Sequence, residues 1–278
     1  MHGRWPDNAQ CVVTLTVDFD GTSKETGLGQ MPLGKFSHGR YSARRGVPRY
    51  LGLFKKHRVP ATFFVPGFDA EQTPDVVRAI SDAGHDVGAH GYLHESFSVG
   101  DQEPILLRKT HRILTEVLGR PPVGWRTPGG GKSLLTLRTL KELNYIYDSS
   151  EKDNDLPFFP EVDGEVLMDF INLPDNTSSL DDFPFYRVSY TPPSEVLAHW
   201  KQEFDATYKE GGLFDLIVHP RTGFGSGSPT RAGVVDQLID YIKTFPGIVF
   251  FRMDELARWC IANPHLWEKG SPKRSALR

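Results

Sequence analysis

What this 278-residue chain lacks narrows its class first. It has two cysteines, Cys11 and Cys260. Two thiols near opposite ends of a sequence make no disulfide framework. One sits in an apolar run and the other in a helical pattern, so both are expected to be buried thiols of a reducing compartment. No window approaches the ~18 consecutive apolar residues of a membrane span. The opening Met1-His2-Gly3-Arg4-Trp5-Pro6 has no apolar stretch of signal-peptide length, and a cytoplasmic location is expected. No block of like charge precedes the basic C-terminal tail, and the net charge is only −3. Neither nucleic acid nor a membrane is therefore expected as a partner. No composition shift or Ser/Gly-rich linker divides the sequence. One catalytic domain spanning residues 1–278 is expected, with a core from about 11 to 262 and a flexible tail over 264–278.

What is present is ordinary globular material, 38% hydrophobic and 24% charged, enough for a sizeable core. Short apolar runs rich in β-branched and aromatic residues predict strands at 12–17, 61–65, 86–89, 123–126, 145–147, 166–173, 213–218 and 248–251. Helical periodicity predicts helices at 47–56, 74–83, 103–118, 134–143, 194–209, 231–244 and 253–261. Pro48 and Pro74 stand near helix starts, where a missing N–H costs nothing. Gly84 and Gly119 follow helix ends, where glycine relieves the left-handed cap. Strands alternating with helices predict an α/β fold, a parallel barrel that is closed or distorted. Residues 21–45 and 149–185 interrupt the alternation, and loops that long in a compact domain are functional lids or disordered.

The ionisable residues fall at the ends of predicted strands. Val17-Asp18-Phe19-Asp20-Gly21-Thr22 follows the first, and strand alternation puts both carboxylates on one side. Burying such a pair without a cation is costly. His90 and His94, in His90-Gly91-Tyr92-Leu93-His94, are four apart, a spacing that one helical turn would bring to one face. Two histidines and a carboxylate are a common open catalytic metal site. Arg126 could pair with Asp18, Asp148 ends the fifth strand, and His219 ends Leu216-Ile217-Val218-His219-Pro220. His85 precedes its strand and is expected to be structural. Each has an ordinary explanation alone: a solvated acidic turn, incidental histidines, a surface arginine, a hydrogen-bonded histidine. Together they obey the rule that parallel barrels draw catalytic residues from the C-terminal ends of several strands.

These residues resemble the motifs of the polysaccharide deacetylase family, the NodB homology fold, from Val12 to about Trp259. The resemblance implies a distorted (β/α) barrel. It makes Asp18 the catalytic base, Asp20, His90 and His94 the metal ligands, Arg126 the residue that orients the base, and His219 the general acid. Asp148 lies near where the family keeps an acid that supports that histidine, in a different local pattern. Ala61-Thr62-Phe63-Phe64-Val65-Pro66-Gly67, Gly84–Tyr92 and His219-Pro220 resemble a branch that holds peptidoglycan deacetylase-like proteins, allantoinases and cyclic imide hydrolases. Its members are often homotetramers, and some of its allantoinases are thought to work without metal. Residues 221–228 depart from the pattern.

The expected activity is hydrolysis of a non-peptide C–N bond with zinc or another divalent ion. The expected substrate is a small cyclic amide or imide, with N-deacetylation of an N-acetylglucosamine glycan as the alternative. Trp125, Phe183, Phe185 and Tyr186 are candidates to line an apolar pocket. Asp18-Phe19-Asp20-Gly21-Thr22 also resembles the opening motif of haloacid-dehalogenase-type phosphatases, for which Asp181-Asp182 is the available second acidic pair. A non-catalytic carbohydrate-binding barrel is the third reading.

Overall fold

A computed structural model describes residues 4–95, 99–176 and 179–270. Twelve strands are present among them: β1 (Cys11–Asp18), β2 (Thr62–Val65), β3 (Asp86–Ala89), β4 (Gly124–Trp125), β5 (Tyr147–Asp148), β6 (Phe158–Phe159), β7 (Glu161–Val162), β8 (Glu165–Val166), β9 (Ile171–Asn172), β10 (Leu213–Val218), β11 (Ile248–Phe251) and β12 (Glu268–Lys269). The main sheet runs β10-β1-β2-β3-β4-β5-β9-β6-β12, and β11 also pairs β1. One edge of β1 pairs β10 along residues 12–17. Its other edge pairs β11 at residues 11–14 and β2 at residues 16–18. Pairing is parallel from β10 to β9, and only β6 runs antiparallel to its neighbour β9. The result is a curled half-barrel whose seam, beside β10, is bridged by Asp181 against Ile217.

β1 is buried on both faces, as a parallel strand covered by helices must be. Its period-two alternation sorts two environments. Val13, Leu15 and Val17 join the large core under the helices Val47–His57, Pro193–Glu210 and Pro229–Ile242. Thr14 and Thr16 turn into the barrel, where both hydroxyls donate to Asp215. Below them Val12, Phe64, Tyr147 and Ile171 pack with Met253, Leu256 and Cys260 of the helix Met253–Ala262, which plugs that end. The apolar plug leaves one open end, at the C-terminal ends of the strands.

The expected helices are present to within a few residues at each end, and Pro48 and Pro74 stand in first turns. Two expectations are corrected. The single strand predicted over 166–173 is split, with Val166 in the hairpin β7–β8 and Ile171 in the main sheet. The cause is Asp163-Gly164, both at positive φ, the two-residue turn that closes a tight hairpin. The predicted tail is also ordered as far as residue 270. Pro264–Leu266 forms a turn, Trp267 buries itself 5.2 Å from Trp5, and β12 pairs β6. Residues 271–278 lie outside the described residues.

Cys11 and Cys260 are both fully buried and unpaired. Burial pushes the Cys11 thiol up to about 12 and raises that of Cys260 further, so neither supplies thiolate at neutral pH. Native protein at pH 8 is expected to resist alkylation by iodoacetamide, and both thiols to react once the chain is unfolded in denaturant. Mass spectrometry reads the number of adducts, and rapid labelling of folded protein would contradict the packing.

Candidate active site

Asp18 is the last residue of β1, and Asp20 lies just past it at φ +39. That left-handed turn, rather than strand alternation alone, keeps the second carboxylate beside the first. It is fixed from outside by Asp69, whose buried carboxylate accepts the N–H groups of Gly21 (2.9 Å), Thr22 (2.7 Å) and Ser23 (3.1 Å). A Cβ at position 21 would meet Asp69 Oδ1 at 2.2 Å, so only glycine fits there. The sequence reading missed Asp69, and nothing in its local pattern marks it.

Burial opposes ionisation of both carboxylates, yet both pKa values end below the usual range. Arg126, His90 and His219 outweigh burial at Asp18, and His94, His219 and His90 outweigh it at Asp20. Arg126 is buried, and every N–H of its guanidinium is used. It donates to Asp18 (3.1 Å), Thr16 Oγ1 (2.8 Å), Asp215 Oδ2 (2.8 Å) and Ser149 Oγ and O (2.8 and 2.9 Å). Its face lies 4.4 Å from the Phe64 ring centroid. The surface-arginine reading is thereby excluded. Asp215 interrupts the apolar run of β10, and that interruption was the readable sign of its role.

His90 follows β3 and sets Nδ1 2.9 Å from the Arg126 carbonyl. Nδ1–H donates there, so the Nε2 lone pair faces the carboxylates. His94 arrives on a turn, with Gly91 and itself at positive φ, not on the helical turn its spacing suggested. Its Nε2 stands 3.2 Å from Asp20 Oδ1, and that of His90 stands 3.7 Å from the same atom. Asp20, His90 and His94 offer ligand atoms that all lie within 4.8 Å of one another.

His219 points Nε2 at this cluster, 4.0 Å from Asp18 Oδ2 and 3.9 Å from Asp20 Oδ2. Its support is Asp182, not Asp148. Asp182 Oδ1 lies 2.7 Å from Nδ1, and Oδ2 accepts the backbone N–H of His219 and of Ser226. Burial alone would lower the imidazole's pKa, but Asp182, Asp181 and Asp20 lift it to about 10. Asp148 instead pairs with Lys132 and accepts from Ser150, whose hydroxyl takes the N–H of Thr127 and so shapes the loop after Arg126. The acid pair weighed as a phosphatase motif is thus the carboxylate end of the histidine site. His85 is buried between Phe54 and Phe63 at the opposite end of β3, the structural place expected of it.

A cavity of about 280 Å³ opens over these side chains, with Phe183, Phe224 and Lys24 in its walls. Of the four aromatics considered, only Phe183 lines it. Trp125 lies in the core, Phe185 packs edge-on to Trp200, and Tyr186 is covered by Arg231. Phe224 comes from the 221–228 stretch that departs from the motif pattern.

The chain matches the sequence profile of the polysaccharide deacetylases over residues 12–147. It superposes on the crystal structure of a protein of that family from Mycobacterium smegmatis with a TM-score of 0.86 and 30% identity, covering 98% of this chain and 97% of the other. The chain belongs to the polysaccharide deacetylase family. Membership makes it a hydrolase of carbon–nitrogen bonds other than peptide bonds. Its family relatives diverge in what they are named for. A peptidoglycan deacetylase of Helicobacter pylori is 28% identical across 89% of this chain and 95% of its own. The Puue allantoinase structure is 27% identical, with a TM-score of 0.82 over 94% of each chain.

Arg126→Met leaves Asp18 and Asp215 buried without their cation, and the expected loss of stability is ~3–5 kcal/mol. Arg126→Lys, which keeps a charge but loses the fork, is expected to fall between. Urea unfolding checks both, and a loss under about 1 kcal/mol for the methionine variant would contradict the network.

Proposed function

We propose that this protein is a metal-dependent hydrolase of a small cyclic amide or imide. The observation that carries the metal is Asp20 Oδ1, a buried carboxylate oxygen that among the described residues has no hydrogen-bond partner, faced by two imidazole Nε2 atoms. An oxygen and two imidazole nitrogens form a donor set that suits zinc, with positions left open for water and substrate. Two other clusters fit a cation less well. In Asp181-Asp182-His219, Nδ1 and both oxygens of Asp182 already have partners, and in His57-Asp236-Asp240 the Lys56 ammonium already sits on Asp236.

A divalent cation held by Asp20, His90 and His94 would supply Lewis acidity, lowering the pKa of water towards about 7 and polarising the carbonyl. The chain's own groups divide the proton transfers. Asp18, held ionised by Arg126, takes a proton from the attacking water at its free Oδ2. His219 carries a proton on Nε2 and gives it to the leaving nitrogen, while Asp182 steadies the imidazolium through Nδ1. Phe183 and Phe224 pack around the His219 ring, with centroids at 6.4 and 5.4 Å.

The cavity supports the choice of a small ring: its size suits a five- or six-membered ring, and Phe183, Pro184 and Phe224 give it one apolar wall beside the ionisable cluster. The name of the Helicobacter pylori relative favours a second reading, N-deacetylation of an N-acetylglucosamine glycan. A cytoplasmic location, a single catalytic domain and a homotetramer belong to the first reading. Light scattering on the purified protein tests the last.

His90→Ala, His94→Ala and Asp20→Ala are expected to lose the one metal per chain that the wild type carries, along with activity. Asp18→Asn is expected to keep the metal and lose ~100-fold in kcat. Metal analysis and kinetics read both, and an Asp18→Asn protein without metal would mean that ligand and base are wrongly divided. On the alkaline side, kcat/KM falls as His219 loses its proton. Removing the Asp182 charge in Asp182→Asn lowers that pKa, so the limb is expected at lower pH, and an unmoved limb would remove His219 as the acid. For substrate, a succinimide or hydantoin is expected to turn over with kcat/KM of at least ~10⁴ M⁻¹s⁻¹. Acetate release from N-acetylglucosamine oligomers at such a rate, with no cyclic amide cut, would select the second reading.

A further inference from the structure

A second cavity of about 600 Å³ adjoins the catalytic one, and the two share Lys24, Phe183 and Phe224. Its charge is lopsided. Lys24 stands half-buried at the junction, and Lys35 and Arg187 stand exposed at the rim. The acid that lines it, Glu25, is already paired with the fully buried Arg221. Among the described residues no carboxylate is ion-paired with Lys24, Lys35 or Arg187. The ammonium groups rest on rings instead, Lys24 5.9 Å from the Phe224 centroid and Lys35 4.9 Å from that of Phe36. His38, also in the lining, has its pKa lowered by burial and by Arg221 and Arg187, so it adds hydrogen-bonding capacity and no charge at neutral pH.

Three cations without counter-ions in one concave site make a positive field that draws an anion and holds it beside the aromatic wall. A guanidinium at the rim suits a carboxylate, which it can grip with two parallel hydrogen bonds. Lys24 lines both cavities, so an arm that passes its side chain would carry a group from beside Asp20, His90 and His94 into this annex.

We propose that the annex holds a carboxylate carried on an arm of the substrate, so that the ring opened beside Asp18 and His219 bears an acidic side chain. This rests on the reading of the protein as a cyclic-amide hydrolase and adds what that reading leaves open, the chemical class of ring.

The test compares hydantoin-5-acetic acid with its methyl ester, which differ in the arm's charge and keep the same ring. The wild type is expected to prefer the acid in kcat/KM by about tenfold or more, a preference that shrinks at 0.5 M salt. In Lys35→Gln/Arg187→Gln the acid-to-ester ratio is expected to fall towards one, the loss lying in KM rather than kcat. Both side chains are exposed, so the fold should survive, and Arg187→Gln alone serves as a milder variant. A wild type without preference for the acid, or a ratio unchanged in the variants, overturns the proposal. If neither ring is opened, calorimetric binding of glutarate still decides it. Binding weakened about tenfold in the double variant supports the annex while the ring-hydrolase reading fails, and equal or absent binding overturns the annex itself.

Discussion

Two carboxylates buried side by side at the end of one strand set the terms for everything around them. Asp18 and Asp20 would each be neutralised by burial, and both are held ionised by groups from separate elements, the Arg126 guanidinium and the surrounding imidazoles. Arg126 reaches in from β4, His90 and His94 from the segment after β3, and His219 from the end of β10. The requirement passes outward. Arg126 needs Asp215 and the Ser149 oxygens to complete its hydrogen bonds, and His219 needs Asp182. Each buried charge is thus paired or bonded, the condition under which ionised groups survive in a low-dielectric interior.

The half-barrel supplies these groups because parallel strands deliver their C-terminal ends to one face. Its open seam matters as much as its strands. The segment that fills it hydrogen-bonds to β10 through the Leu180 carbonyl and Ile217 N–H, then places Asp181, Asp182 and Phe183 against His219. The acid that supports the histidine therefore comes from a loop closing the seam. The segment after His219-Pro220 is as tightly built. A Cβ on Gly225 would lie 2.2 Å from the His219 carbonyl oxygen, so glycine lets the chain fold back and deliver Ser226 to Asp182.

Much of this was legible in the sequence. Apolar runs and helical periodicity located the strands and helices, because packing on both faces of a parallel sheet leaves strong patterns. The six residues expected as ligands, base, acid and base-orienting arginine converge on one cavity, since five of them lie at or within two residues of a strand's end and the turn after β3 carries His94. What the sequence hid was governed by local backbone or by distant partners. The Asp163-Gly164 turn splits a run that reads as one strand, and a left-handed His94 makes a helical spacing into a loop. Trp267, a lone aromatic in a polar tail, finds Trp5 from the other end of the chain. Asp182 takes the place expected of Asp148 beside the histidine, because only the fold shows which carboxylate reaches His219 Nδ1. An acid within an apolar strand, Asp215, was the one hidden member with a visible sign.

The central claim is that the charge arrangement at the barrel mouth is built around one cation held by Asp20, His90 and His94. Crystals grown with zinc and measured at its absorption edge test it directly. The account predicts one anomalous peak in this cavity, about 2.0–2.2 Å from Asp20 Oδ1 and both Nε2 atoms. No peak at full zinc loading, or one between Asp181, Asp182 and His219 instead, would contradict it.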